Sequence, residues 1–99
     1  MNLTREHFLE VLNQVTNQVF VGKGNERHGI NTPFEEQPWA IITANVGTGF
    51  VLGQAMKKLM ELRVLTTPEA WKREALGAIA YIIMAIMWEE NNIIEYKNE

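Results

Sequence analysis

The sequence predicts an all-α chain, an antiparallel helical bundle of three main helices plus a short one, forming a single domain over residues 1–99 and completed by oligomerisation. Three observations carry the prediction. Residues 75–88, ALGAIAYIIMAIMW, hold no charge, and only Gly77 among them lacks an apolar side chain. Near the N-terminus, Phe8, Leu9, Leu12, Val15, Val19 and Phe20 recur at intervals of one, three or four residues, the period of a helix face. No stretch alternates apolar and polar side chains over the length of a strand.

The first helix begins at Thr4, an N-cap residue, and carries Glu6, Glu10, Asn13 and Asn17 opposite its apolar stripe. Residues 21–32, VGKGNERHGINT, lose the period and include Gly22, Gly24 and Gly29, so they form a loop longer than the usual connection. The loop ends in Thr32-Pro33-Phe34-Glu35, which has the spacing of a capping box with proline at the first helical position. A short helical turn follows until Pro38 interrupts or restarts it.

Residues 39–65 show a helical stripe of Ile42, Val46, Phe50, Met56, Leu59 and Met60, crossed by Gly47, Gly49 and Gly53. Each glycine weakens a helix by up to about 1 kcal/mol relative to alanine. The favoured expectation is one long helix bent near Gly47; the alternative is a short helix, a Gly-Thr-Gly turn and a second helix from Phe50. Thr67 and Pro68 then supply an N-cap and a first helical residue for the last helix, with Glu69 in its first turn. Its uncharged run reaches about 21 Å, short of the roughly 30 Å of a membrane core. It is therefore expected to be buried, partly against another subunit, because so small a chain cannot wrap a helix that is apolar all round. Residues 91–99 form a polar tail that either adds a helical turn or frays.

Composition narrows the function. Hydrophobic residues at 46% and charged residues at 21% are globular proportions. The formal charge of -3 disfavours a nucleic-acid binder. Absence of Cys and Ser removes thiolate metal sites and the common acyl-transfer nucleophiles. His7 and His28 lack ligand-spaced companions, which argues against zinc. MNLTREHFLEVL contains no apolar secretory core, so the expectation is a cytoplasmic chain with no membrane partner.

The loop is the best place for a ligand. Its glycines allow close approach to backbone N–H groups, Lys23 and Arg27 offer positive charge, Asn25 offers an amide, and His28 can move a proton near neutral pH. Beyond it, Trp39 can stack on a nucleobase and Gln37 can read its edge, although closing one end of the core is the plainer role for such a tryptophan. Gln54, an amide on an apolar helix face, needs a partner, either a ligand or a facing residue such as Tyr81. A solvated connector is the alternative reading of the loop, and a salt-laced solvent face that of Lys57, Lys58, Arg63, Lys72 and Arg73.

Two segments carry a resemblance. VLGQAMKKL, residues 51–59, resembles the "EVGELAQAL" helix of MazG-type all-α nucleoside triphosphate pyrophosphohydrolases, and REALGAIAYIIMAI, residues 73–86, resembles their "EELGDVLWYLLAI" helix. The resemblance implies a helical core in dimers or tetramers and a magnesium site built from ExxE and ExxD carboxylates. Here those positions fall on Val51, Gln54, Ala75 and Ala78, and only the neighbouring Glu74 is acidic. The expectation is thus a homo-oligomer that binds a nucleotide or similar anionic small molecule through Lys23, Asn25, Arg27, His28, Gln37, Trp39 and Gln54, with no metal, cofactor or catalytic residue. Two alternatives stand beside it. One is a protein-interaction or oligomerisation module, and the small size suggests an accessory protein of a phage or mobile element. The other is a magnesium-dependent pyrophosphohydrolase in which Glu35, Glu36, Glu61 and Glu74 converge on the metal.

Overall fold

The computed structural model describes residues 1–21 and 32–97, with side chains through residue 92. Among these residues the chain is all-helical: α1 (Arg5–Phe20), a 3-10 turn (Phe34–Glu36), α2 (Pro38–Val46), α3 (Gly49–Glu61) and α4 (Pro68–Lys97). The starts of α1 and α4 follow the predicted caps. Thr4 Oγ1 accepts from the His7 amide at 3.1 Å, and Thr67 Oγ1 accepts from the Ala70 amide at 3.2 Å. Capping at the 3-10 turn differs from expectation, because Pro33 takes the N-cap position and no side chain caps the turn. Pro38 restarts the chain as the first residue of α2.

The single bent helix over 39–65 is replaced by the two-helix alternative. Gly47 adopts φ 91 and ψ 176, a conformation essentially confined to glycine, and its amide closes α2 on the Thr43 carbonyl at 2.7 Å. Apolar periodicity continues across the break from Val46 to Phe50, which is why the sequence pattern favours continuity. Thr48 follows as the N-cap residue of α3, yet its hydroxyl donates to Glu89 on α4 instead of capping its own helix.

Helices α3 and α4 form the most extensive contact and run antiparallel, since Thr48 meets Glu89 at one end and Lys58 meets Glu74 at the other. Gly77 faces the Lys58 side chain, and a Cβ there would lie 3.0 Å from its Cδ and Cε. Helix α1 lies on α4, with Gln18 Nε2 donating to the Arg73 carbonyl at 3.1 Å. Val15, Val51, Leu76, Ala80, Met84 and Ala85 form the core, and Val51 is 0% exposed.

Both α4 and α1 leave large apolar side chains in solvent. Helix α4 is buried on one side only, through Leu76, Ala78, Ala80, Met84 and Ala85, while Ile79, Ile82, Ile83 and Ile86 are exposed. In α1, Val15 is buried, but Phe8 (66% exposed), Leu9 and Leu12 face outward. The segment expected as a polar tail continues α4 to Lys97, giving a 30-residue helix in a molecule 50 Å along its longest axis. No helix among the described residues is long and apolar enough to cross a membrane.

Candidate functional site

Three places on this frame bear on function: the segment from Thr32 to Trp39, the Lys58–Glu74 pair, and the outward apolar faces. In the first, Gln37 is only 6% exposed and its Nε2 donates to the Thr32 carbonyl at 3.2 Å. Trp39 donates its indole N–H to the Phe34 carbonyl at 2.9 Å. Its ring lies in an aromatic chain, 5.0 Å from Phe34 and 6.4 Å from Trp88, with Phe34 in turn 4.8 Å from Phe20. Trp39 thus closes one end of the core, the plainer of its two roles. Lys23, Asn25, Arg27 and His28 lie outside the described residues.

Gln54 is half-buried, one turn from Val51 and Lys58 on the face of α3 that meets α4. Among the described residues it makes no hydrogen bond to Tyr81. The buried amide oxygen without a partner belongs instead to Gln14 on α1.

The four glutamates proposed for the enzyme alternative divide into two groups. Glu61 and Glu74 come together where α3 ends and α4 begins. Glu35 and Glu36 are exposed on the 3-10 turn, beside the aromatic chain that reaches Trp88. Trp88 is about 21 Å along α4 from Glu74. Lys58 Nζ lies 2.9 Å from Glu74 Oε2. Its hydrogen bond holds the Glu74 carboxyl below the ordinary carboxylate value, against the opposing effect of burial, with Glu61 and Arg73 adding in the same direction. Magnesium requires several oxygen ligands, and here an ammonium group occupies the Glu74 carboxylate. Among the described residues no three His, Cys, Asp or Glu side chains converge on a point where a metal could sit. The residues present do not fit the magnesium site that the resemblance implies.

The apolar faces are the largest unexplained feature. On α3 and the turn after it, Gly53, Met56, Met60 and Val64 line an open groove edged by Lys57 and Glu61. On α4, Ile79, Ile82, Ile83, Ile86 (52% exposed) and Met87 are exposed, with Ile83 and Met87 beside Val15, Val19 and Phe20 of α1. None of these residues stands out in the sequence as part of a site, although their three- and four-residue spacing is visible there.

Comparison of the chain with protein-family profiles, with curated proteins and with solved structures finds no match in any of the three.

Proposed function

We propose that this chain is a self-associating helical module whose working form is a homo-oligomer, a dimer or tetramer. The observation that carries the proposal is the row of large apolar side chains left in solvent on α4, accompanied by similar faces on α1 and α3. Monomeric proteins seldom expose apolar patches beyond about 300–600 Å².

Magnitudes bear on which faces are needed. Full burial of a large aliphatic side chain is worth about 1.5–3 kcal/mol, so removing the remaining two-fifths exposure contributes about 1 kcal/mol each. Ile79, Ile82 and Ile86 on each of two α4 helices give about 6 kcal/mol, within the roughly 4–15 kcal/mol that association costs. The α4 face alone therefore supports a weak, concentration-dependent dimer, and the α1 and α3 faces would convert it into a stable assembly. Size-exclusion chromatography with light scattering, run across a hundredfold range of concentration, tests this. A mass that grows with concentration or stays at a multiple of the protomer supports it, and a constant protomer mass removes it.

A second reading has its own support. Buried Gln37 holds the Thr32 carbonyl at the end of the basic, glycine-rich stretch, and this reading puts a ligand on Lys23, Asn25, Arg27 and His28. In this reading the oligomer binds a nucleotide or similar anion without hydrolysing it, consistent with a MazG-like core whose carboxylates are replaced. A thermal-shift screen against nucleotides, with and without magnesium, is the test. A shift without pyrophosphate release supports the reading, and no shift for any nucleotide counts against it.

A further inference from the structure

We infer that α4 pairs with α4 of a second copy of this chain, antiparallel, about a two-fold axis passing between Ile79 and Ile82. The inference rests on the self-association proposed above and specifies its face, orientation and register. Along α4, the exposed Lys72, Ile79, Ile82, Ile86 and Glu89 and the half-buried Ala75 recur at alternating steps of three and four, the spacing of a helix–helix seam. Leu76, Ala80, Met84 and Ala85 are used in the core, and Ile79, Ile82 and Ile86 of the seam stay outside it, while Glu89 at its end also meets Thr48 of α3.

Reversing the seam returns its own complement. With Ile79 of one copy against Ile82 of the other, Ala75 falls against Ile86 and Lys72 against Glu89, with Glu90 adjacent. The most exposed side chain of the stripe, Ile86, meets its smallest, Ala75. Positive charge at one end meets negative charge at the other, twice over, across about 26 Å of helix. Parallel pairing would set Lys72 against Lys72 and Glu89 against Glu89, with thin and thick apolar layers at Ala75 and Ile86. Like charges at both ends would oppose it. On α3 the groove's charges, Lys57 and Glu61, stand one turn apart within it and do not flank an apolar row at its two ends.

The chain has no cysteine, so introduced thiols report on register without background. Ala75→Cys and Ile86→Cys proteins are prepared separately and then mixed under mild oxidation. The antiparallel register predicts a mixed 75–86 covalent dimer and little product from either variant alone. Parallel pairing would instead link each variant to itself and overturn the proposal.

Charge reversal gives an independent readout. Lys72→Glu is expected to weaken self-association roughly tenfold, and Lys72→Glu with Glu90→Lys to restore it. Glu89 is left intact because it accepts the Thr48 hydroxyl. Circular dichroism confirms that each variant keeps its helices. If the chain self-associates but neither the mixed disulfide nor the charge effect is seen, the α4 register is wrong and self-association stands through another face. If every protein remains a protomer at all concentrations, both ideas fail.

Discussion

Replacing Gly47 by alanine separates the two accounts of residues 39–65 by the sign of its effect. Gly47 has φ 91 and ψ 176, and a Cβ built there meets nothing within 4 Å, so the cost of a side chain lies in the backbone alone. Conformations of this kind cost about 1–3 kcal/mol for a residue other than glycine. Alanine recovers about 0.4–1 kcal/mol by restricting the unfolded chain, leaving a net loss of about 1–2 kcal/mol. In a domain of this size each kcal/mol moves the melting temperature by about 4–8 °C, so Gly47→Ala should melt about 5–15 °C lower.

Gly53 is the matched control. It is exposed inside α3, a Cβ at this position would meet nothing within 4 Å, and Gly53→Ala should raise stability by about 0.8–1.0 kcal/mol. Thermal denaturation followed by circular dichroism, at one fixed protein concentration, measures both. A continuous helix would make both substitutions stabilising, and that result would refute the break at Gly47.

Other outcomes follow from single contacts. Glu74 has a folded pKa below its unfolded value, so its stabilising contribution is complete above the ordinary carboxylate range and is lost as pH falls through the lower folded value. Glu74→Gln should therefore cost less than about 1 kcal/mol near neutrality and flatten the acid limb of a stability–pH curve. Gln37→Ala removes the buried donor to the Thr32 carbonyl and should destabilise by about 1–3 kcal/mol in urea denaturation. Thr67→Ala removes the cap on the Ala70 amide and should cost about 0.5–2 kcal/mol by the same assay.

What the sequence conveyed depended on range. Thr4, Thr67-Pro68 and Pro38 act within three or four residues, so their chemistry marked the helix starts directly. The break at Gly47 depends on a positive φ, which composition does not reveal, and a propensity cost near 1 kcal/mol is too small to decide against an unbroken stripe. Residues 91–97 set Ile93, Ile94 and Tyr96 among polar side chains, a pattern that suits an added helical turn as well as a frayed end, so the full extension of α4 was not legible. A stripe such as Phe8, Leu9 and Leu12 announces a helix without saying what it faces. The pairing of Lys58 with Glu74, sixteen positions apart, required the antiparallel packing of α3 on α4. The same packing separates Glu61 and Glu74 from Glu35 and Glu36, which sequence spacing left free to converge.

The protomer is a small helical unit whose α3–α4 pair is well packed and whose outer faces remain apolar, and self-association is what would cover them. Sedimentation equilibrium of the unmodified chain, at several loading concentrations, tests that claim most directly. The expected result is a mass at or approaching a multiple of the 11.4 kDa protomer. A single 11.4 kDa species at every concentration would contradict it.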